Sequence, residues 1–414
     1  MESIILHVDV NSAYLAWSAV WDLAHGAVRD LRKLPAIVGG DPENRHGIVL
    51  AKSVPAKAFG IVTGETLFSA LAKCPDLVIV PPRYQVYVKA SEAMVEILSA
   101  YSPVLERYSI DECFLDMGPL ARPEALRIAH QIRREIKRTL GFTVNVGIGT
   151  NKLCAKMASD FKKPDLVHTL YPEEVEVKLH GLPIEDLFMV GPALAKRLRN
   201  INLSTIGQLA RCDRGFLAGQ FGKIGMVIWN FAWGRDSSKV HPEGTLETKG
   251  MGNSTTLPHD LTERPACHRT LLSLLETLVP RLKAAGFHTT CVAVHYTTTD
   301  FKTRRRQRQL PQQTDSMTAL YEIARALFDE IWEGQAVRKL GVSFSHLRSN
   351  QVVQLSLLDL EQIQKKEKLD DTVLQIRQRF GDDSLIRGTF ISSDTKPFSG
   401  GVDEPGFKFM NSNL

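Results

Sequence analysis

Residues 3–10, SIILHVDV, alternate as a strand: Ile5, His7 and Asp9 share one face, and Leu6, Val8 and Val10 share the other. The polar pair Asn11-Ser12 then opens a helix. GGDPENRHGIVLAKS (39–53) reads as turn, loop and short strand. EALRIAHQIRREIKRTL (124–140) carries an apolar stripe at Ala125, Ala129, Ile132, Ile136 and Leu140, with Arg and Lys over the rest, so it predicts an amphipathic helix. FTVNVGIGT (142–150) alternates like a strand, and NKLCAKMASDF (151–161) returns to helix. Strands alternating with helices over 1–165 point to an α/β or α+β domain.

The pattern changes twice more. Residues 171–240 read as short helices around a Gly-Pro turn at 191–192. From about 246, helical stretches (266–284, 315–333) and strands (289–298, 337–345) suggest a separate small sheet domain of βαβ-like composition. From 351 the chain is peptide-like, with a short amphipathic helix within 369–390. After 393 it is rich in Gly, Ser, Pro and Asp and reads as disordered. No internal repeat is visible. At 414 residues the chain is too long for one core, and two to four domains are expected.

Composition is that of a soluble protein, 43% hydrophobic and 23% charged. No apolar run reaches the ~18 residues of a membrane span, and MESIILHVDV is too short and too acidic for a signal peptide. The six cysteines are scattered without a CxxC pair, which argues against zinc and a disulfide framework and for a reducing cytoplasm. Net charge is +5, a mild hint of a polyanionic partner. Residues from 351 onward are net acidic and the body is basic.

YSIDECFLDMG (108–118) raises the chemical question. Ile110, Phe114 and Leu115 suit a half-buried strand, yet Asp111 and Glu112 stand side by side in it. Buried carboxylates are costly unless something positive sits on them. If this strand neighbours the one carrying Asp9, three carboxylates converge and need a cation; Mg²⁺ or Mn²⁺ fits the oxygen ligands. Two such ions roughly 4 Å apart serve phosphoryl transfer. Strict alternation sends Asp111 and Glu112 to opposite faces, so both can ligate only if the chain bends there. A salt-bridged sheet end is the other reading of the same residues.

VDVNSAY, YSIDECFLD and VGIGTNKLCAKMASDFKKP, in this order and spacing, resemble the motifs of the Y-family translesion DNA polymerases, from residue 3 to about 358. Some stretches are similar to the polymerase IV branch and others to the polymerase V catalytic subunit. The resemblance implies an α+β multidomain fold: a ferredoxin-like palm (1–10 and 83–170), fingers (11–82), a helical thumb with a helix–hairpin–helix (171–240) and a small α/β little finger (246–350). A clamp-binding peptide with a short helix (351–392) and a disordered tail (393–414) would follow. It implies low-fidelity, template-directed DNA synthesis without proofreading, with two Mg²⁺ (or Mn²⁺) ions. Asp9, Asp111 and Glu112 match the metal-binding carboxylates, and the Val10 carbonyl would touch the second metal. His7 is expected to pack, and Asp116 to be structural. Partners would be primer-template DNA, deoxynucleoside triphosphates and a bacterial sliding clamp, with no membrane and a monomeric state.

Other positions follow from the same resemblance. Lys57 and Lys163 match phosphate-binding residues. Val54 and Lys57 depart from the commoner Tyr and Arg, so Lys52 or Ser53 is expected to substitute for a lost hydrogen bond. Tyr14 matches the steric gate against ribonucleotides. LPIEDLFMVGPALAKRLRNINLSTIGQLA (182–210) resembles a helix–hairpin–helix that offers backbone N–H groups near Gly191 to a DNA phosphate, with Lys196, Arg197 and Arg199 adding charge. Met189 and Asn202 stand where Gly is usual. In TTTDFKTRRRQRQL (297–310), Arg304, Arg305 and Arg306 lie beside a strand and are expected to meet DNA; a solvated edge is the bland alternative. QLSLLD (354–359) resembles the clamp peptide through Gln354, Leu355, Leu357 and Leu358. Two rival readings are a nucleotidyl cyclase, which lacks a thumb and little finger, and a degenerate polymerase homologue acting as a scaffold on the clamp, which is expected to lose carboxylates.

Overall fold

The computed structural model describes residues 2–40, 47–242, 248–349, 360–391 and 393–400. Their contacts divide the chain into two compact units, one running to 242 and the other starting at 248. None of the described helices is long and apolar enough to cross a membrane.

In chain order the first unit holds β1 (Ser3–Val10), α1 (Ala13–Ala24), β2 (Ala36–Gly39), β3 (Val49–Lys52), α2 (Val54–Ala58), α3 (Leu67–Lys73), β4 (Val78–Val80), α4 (Tyr84–Ser99), β5 (Leu105–Arg107), β6 (Glu112–Pro119), α5 (Arg122–Leu140), β7 (Val144–Gly149), α6 (Lys152–Asp160), β8 (Val167–Leu170), α7 (Val175–Lys178), α8 (Pro192–Arg199), α9 (Ile206–Arg211) and α10 (Arg214–Ala232). A five-stranded sheet in the order β5-β6-β1-β7-β8 is antiparallel except for β7 and β8. β1 is its centre. Leu6, Val8 and Val10 pack with α4 and with the stripe Ala125, Ala129, Ile132 and Ile136 of α5. The alanines let α5 approach closely, and Gly141 (φ 76°) ends it in the left-handed conformation.

The opposite face of β1 meets α6. Gly147 and Gly149 of β7 make this contact: a Cβ on either would strike the α6 backbone around Cys154–Ala155. Asn151 caps α6 by accepting from Cys154 N at 2.8 Å. A three-stranded sheet, β3-β2-β4, forms a second layer. α1 serves both sheets, with Ala16 and Trp17 in the core of the larger and Leu15 and Ala19 in the core of the smaller. The helices from α7 onward share a third core with α6. α10 is longer than the short helices expected and is interrupted at Gly222 (φ 61°).

The second unit holds β9 (Gly250–Leu261), α11 (Arg264–Ala284), β10 (Phe287–Thr298), β11 (Thr303–Thr314), α12 (Met317–Ile331), β12 (Val337–Ser349) and α13 (Leu360–Phe380). Its sheet, β11-β10-β12-β9, is wholly antiparallel, unlike the parallel pairing of a βαβ unit. α11 and α12 pack on the face bearing Val292, Val294, Tyr296, Leu340, Val342 and Phe344.

The C-terminal region departs furthest from expectation. The short helix is a 21-residue α13. Asp370 accepts from Met317 N at 2.9 Å, supplying a cap to α12 that Ser316 does not. Arg377 and Arg387 both bind the buried Glu276 of α11. Residues 393–400, assigned by composition to a disordered tail, are held: Asn253 Nδ2 donates to the Ser399 carbonyl at 2.9 Å, and Phe398 lies under the Arg377 guanidinium. Backbone carbonyls meeting buried donors hold this stretch, which composition cannot register.

Candidate active site

The β5–β6 hairpin resolves the problem of facing. Pairing of Leu105 with Leu115 and Arg107 with Cys113 leaves 108–111 as its turn. Asp111 therefore lies in the bend, outside the ladder, and alternation does not bind it. Its carbonyl accepts from Val10 N at 3.0 Å, and its Oδ1 accepts from Ser109 Oγ at 2.6 Å. Glu112 opens β6 directly across from Asp9. Asp9 is 8% exposed and Glu112 9%. Val10, the last residue of β1, stands at the same corner.

Lysines touch these carboxylates. Lys163 Nζ donates to Asp9 Oδ1 and pairs with Asp160, both at 2.8 Å. Lys156 Nζ donates to Glu112 Oε1 at 2.7 Å. Two ammonium groups thus offset part of the charge on the acidic strands, as the salt-bridged reading of these residues anticipates. They are not sufficient. Burial, opposed by Lys163 and reinforced by Glu112, holds the Asp9 carboxyl up at about 7. Burial also raises Asp111, with Ser109 opposing and Asp9 adding to the shift. Glu112 Oε2 is buried without a partner. Among the described residues no three His, Cys, Asp or Glu side chains close into a ready metal shell. The donor set still fits a hard cation: clustered carboxylates, one with an orphaned oxygen, in a pocket that resists ionisation.

His7 packs as expected. Its ring lies 4.4 Å from Phe114, Nδ1 meets Ser159 Oγ at 2.8 Å, and burial keeps it neutral by lowering its pKa. Asp116 accepts from Gly118 N at 2.8 Å, a contact within β6 where its register against β1 shifts. Tyr14 stacks on Tyr87 with centroids 4.7 Å apart, and burial, reinforced by the Asp111 charge, raises its pKa. Lys57 is exposed on α2, and its charge, after burial, lowers the pKa of Lys52. Ser53 is corrected: it is 1% exposed, and its hydroxyl accepts from Ala36 N and Ala56 N and donates to the Leu34 carbonyl. It caps α2 and clasps β2, and has no hydrogen to offer a phosphate.

The chain matches the impB/mucB/samB family over residues 8–160 and the C-terminal domain of that family over 248–357. It is 42% identical to the DNA polymerase IV of Clostridium acetobutylicum over 397 residues, covering 96% of this chain and 100% of that one. It is 34% identical to DNA polymerase IV 2 of Bacillus subtilis, covering 96% and 97%. In fold it is similar to a Y-family DNA polymerase chimera, with TM-score 0.72 and 21% identity, over 84% of this chain and 100% of that one. The chain belongs to the impB/mucB/samB family, the Y-family DNA polymerases. The architecture of that family, palm, fingers, thumb and little finger, is the architecture here.

Residues matched to DNA contacts in this Y-family member fall into two groups. Gly191 caps α8 and is exposed, as is Lys196. Arg197 is turned to the Gln220 carbonyl and the Phe221 ring, and Arg199 pairs with Glu185. Met189 (φ 70°) and Asn202 (φ 63°) adopt the left-handed conformation that favours glycine, the residue expected at both positions. The arginine run is corrected in place: it forms edge strand β11 itself, not a segment beside a strand. Arg304 and Arg306 lie on the helix-bearing face and pair with Glu333 and Glu330. Arg305, across from His295, lies on the other face. Gln354, Leu355, Leu357 and Leu358 lie outside the described residues.

Sequence reading missed Lys152 and Lys156. Lys152 Nζ donates to both oxygens of Glu106 at 2.9 Å, with both residues buried. Their signal is spacing: lysines four apart on a helix share a face, and Glu106 and Glu112 stand on the two strands on either side of the 108–111 turn.

Proposed function

We propose that this Y-family enzyme performs template-directed DNA synthesis past damaged bases by two-metal nucleotidyl transfer at Asp9, Asp111 and Glu112. The observation that carries the reading is the meeting of these carboxylates at one corner of the sheet, where burial holds the Asp9 carboxyl up at about 7. Bound Mg²⁺ or Mn²⁺ would stabilise charge on the attacking and leaving oxygens. The chain's own residues do the rest. Asp9, Asp111, Glu112 and the Val10 carbonyl hold the ions. Lys163, within reach of Asp9, and Lys57 and Lys52 on the fingers draw the triphosphate. Tyr14, backed by Tyr87, closes the space a 2′-hydroxyl would need.

The domain limits proposed are palm 1–10 and 83–170, fingers 11–82, thumb 171–240 and little finger from 246, the last extended by α13 and the segment to 400. The thumb hairpin at Gly191 and Lys196, and the little-finger face with Arg305, would meet the DNA backbone without reading sequence. Gln354–Leu358 would bind a sliding clamp, and the enzyme would work as a cytoplasmic monomer. A scaffold without activity is disfavoured because all three carboxylates are in place. Primer extension on undamaged and abasic templates, with Mg²⁺ and then EDTA, tests the reading. Asp111→Asn is expected to lower the rate by at least ~10²–10³-fold while DNA binding persists. Extension within a few-fold of wild type would refute the metal assignment.

A further inference from the structure

Glu112 is nine-tenths buried, and its two oxygens have different surroundings. Oε1 accepts from Lys156 Nζ at 2.7 Å. Oε2 has no partner. Buried acceptors in a native core are ordinarily satisfied, so an orphan beside Asp9 points to an absent cation. Lys156 is itself 7% exposed, with its ammonium 5.5 Å from the centroids of both Tyr108 and Phe188.

Its backbone is equally constrained. α6 sits against Gly147 and Gly149 with no space for a Cβ between them. One turn earlier on α6, Lys152 grips Glu106, whose Oε2 also accepts from His241 N at 2.8 Å. Lys156 therefore has little freedom, and it fixes one oxygen of Glu112 while leaving the other unused.

We propose that Lys156 is a positioning residue for the catalytic cations: it holds Glu112 through Oε1 so that Oε2 is presented to the metal. This rests on the reading of Glu112 as a metal ligand. A carboxylate oriented in advance loses little freedom on binding, and loss of such an outer partner costs ~10–100-fold in metal affinity. The opposite outcome has an equally clear physical basis. If Lys156 merely competes with the metal for Glu112, its removal would tighten binding, since one positive charge fewer would repel the ion.

The test is Mn²⁺ binding to the full chain without DNA or nucleotide, read from the paramagnetic resonance of the free ion. Lys156→Met is expected to weaken binding ~10–100-fold. Lys156→Arg, which keeps the charge and the donor, is expected to stay within about threefold of wild type. Lys152→Met is the control. It removes an equally buried lysine from the same helix, so thermal stability should fall, but Mn²⁺ affinity should stay within about threefold because Glu106 is no ligand. Unchanged or tighter binding in Lys156→Met, an equal loss in Lys152→Met, or a loss in Lys156→Arg as large as in the Met variant would overturn the proposal. Glu112→Gln separates the two readings: if it binds Mn²⁺ as wild type does, the metal reading itself has failed.

Discussion

The two large sheets share a plan and differ in the use of their second face. The five-stranded sheet of the first unit packs α1, α4 and α5 against one side, and the four-stranded sheet of the second packs α11 and α12 against one side. On the first sheet the other side is covered by α6, and its charges meet in pairs: Lys156 with Glu112 and Lys152 with Glu106 are buried, and the half-buried Lys163 holds the buried Asp9. On the second sheet the other side carries small and polar residues, Thr297, Ser343, Gly341 and Ser254 among them, and its arginine stands exposed at the edge strand. Buried charges are strongly coupled and geometrically fixed, which suits chemistry at one atom. Exposed charges are screened and mobile, which suits a long uniform polyanion. One strand pattern thus serves two electrostatic tasks, depending on whether a helix closes the second face.

The largest expected effect tests whether buried pairing is confined to the five-stranded sheet. It is not: Glu276, 3% exposed, holds Arg377 and Arg387 within the second unit. Glu276→Gln leaves Arg377 buried without its carboxylate and should destabilise that unit by roughly 3–5 kcal/mol. Denaturant unfolding would measure it. A loss below ~1 kcal/mol would mean that the segment beyond 360 is not integral to the unit.

The next effect concerns the first sheet and pH. The folded, metal-free chain holds Asp9 at about 7, above the ordinary 3.8, so it binds more protons than the unfolded chain between those values. Stability of the metal-free protein should therefore fall as pH rises through 7. Mg²⁺ binds the ionised form and should offset that loss. The Tm increase given by Mg²⁺ is expected to be clearly larger at pH 8 than at pH 5.5, and EDTA should abolish the difference. An equal increase at both pH values would remove Asp9 from the site.

The smallest effect sharpens the second sheet. Arg305→Ala should weaken DNA binding a few-fold and lower the salt-dependence slope by ~1, as loss of one phosphate contact does. Arg306→Ala, already engaged by Glu330, should change both much less. Equal effects, measured by salt titration of binding, would show that the ion pair opens on DNA.

How much was legible in the chain itself follows from the range of the interactions. Alternation in β1 determined that Asp9 and His7 share a face, and the 3.6-residue stripe of α5 determined its buried side. These are local periodicities, and tertiary packing had only to accept them. Motif order alone marked the family and singled out the carboxylates proposed here as metal ligands. What sits on those carboxylates was not legible: Glu112 and Lys156 are 44 residues apart, and Asp9 and Lys163 are 154 apart. The sequence placed Ser53 among phosphate ligands and three adjacent arginines on DNA. Tertiary structure turned the serine inward as a cap and divided the arginines by strand parity, because a side chain's partners depend on which elements surround it. The same holds at residues 393–400, where composition reads as disorder until Asn253 and Ser273 supply the groups that hold them. Periodicity and motif identity reside in the covalent chain. Charge pairing and desolvation arise only when distant segments exclude water together, and in this protein they pair one oxygen of Glu112 with Lys156 and leave the other without a partner.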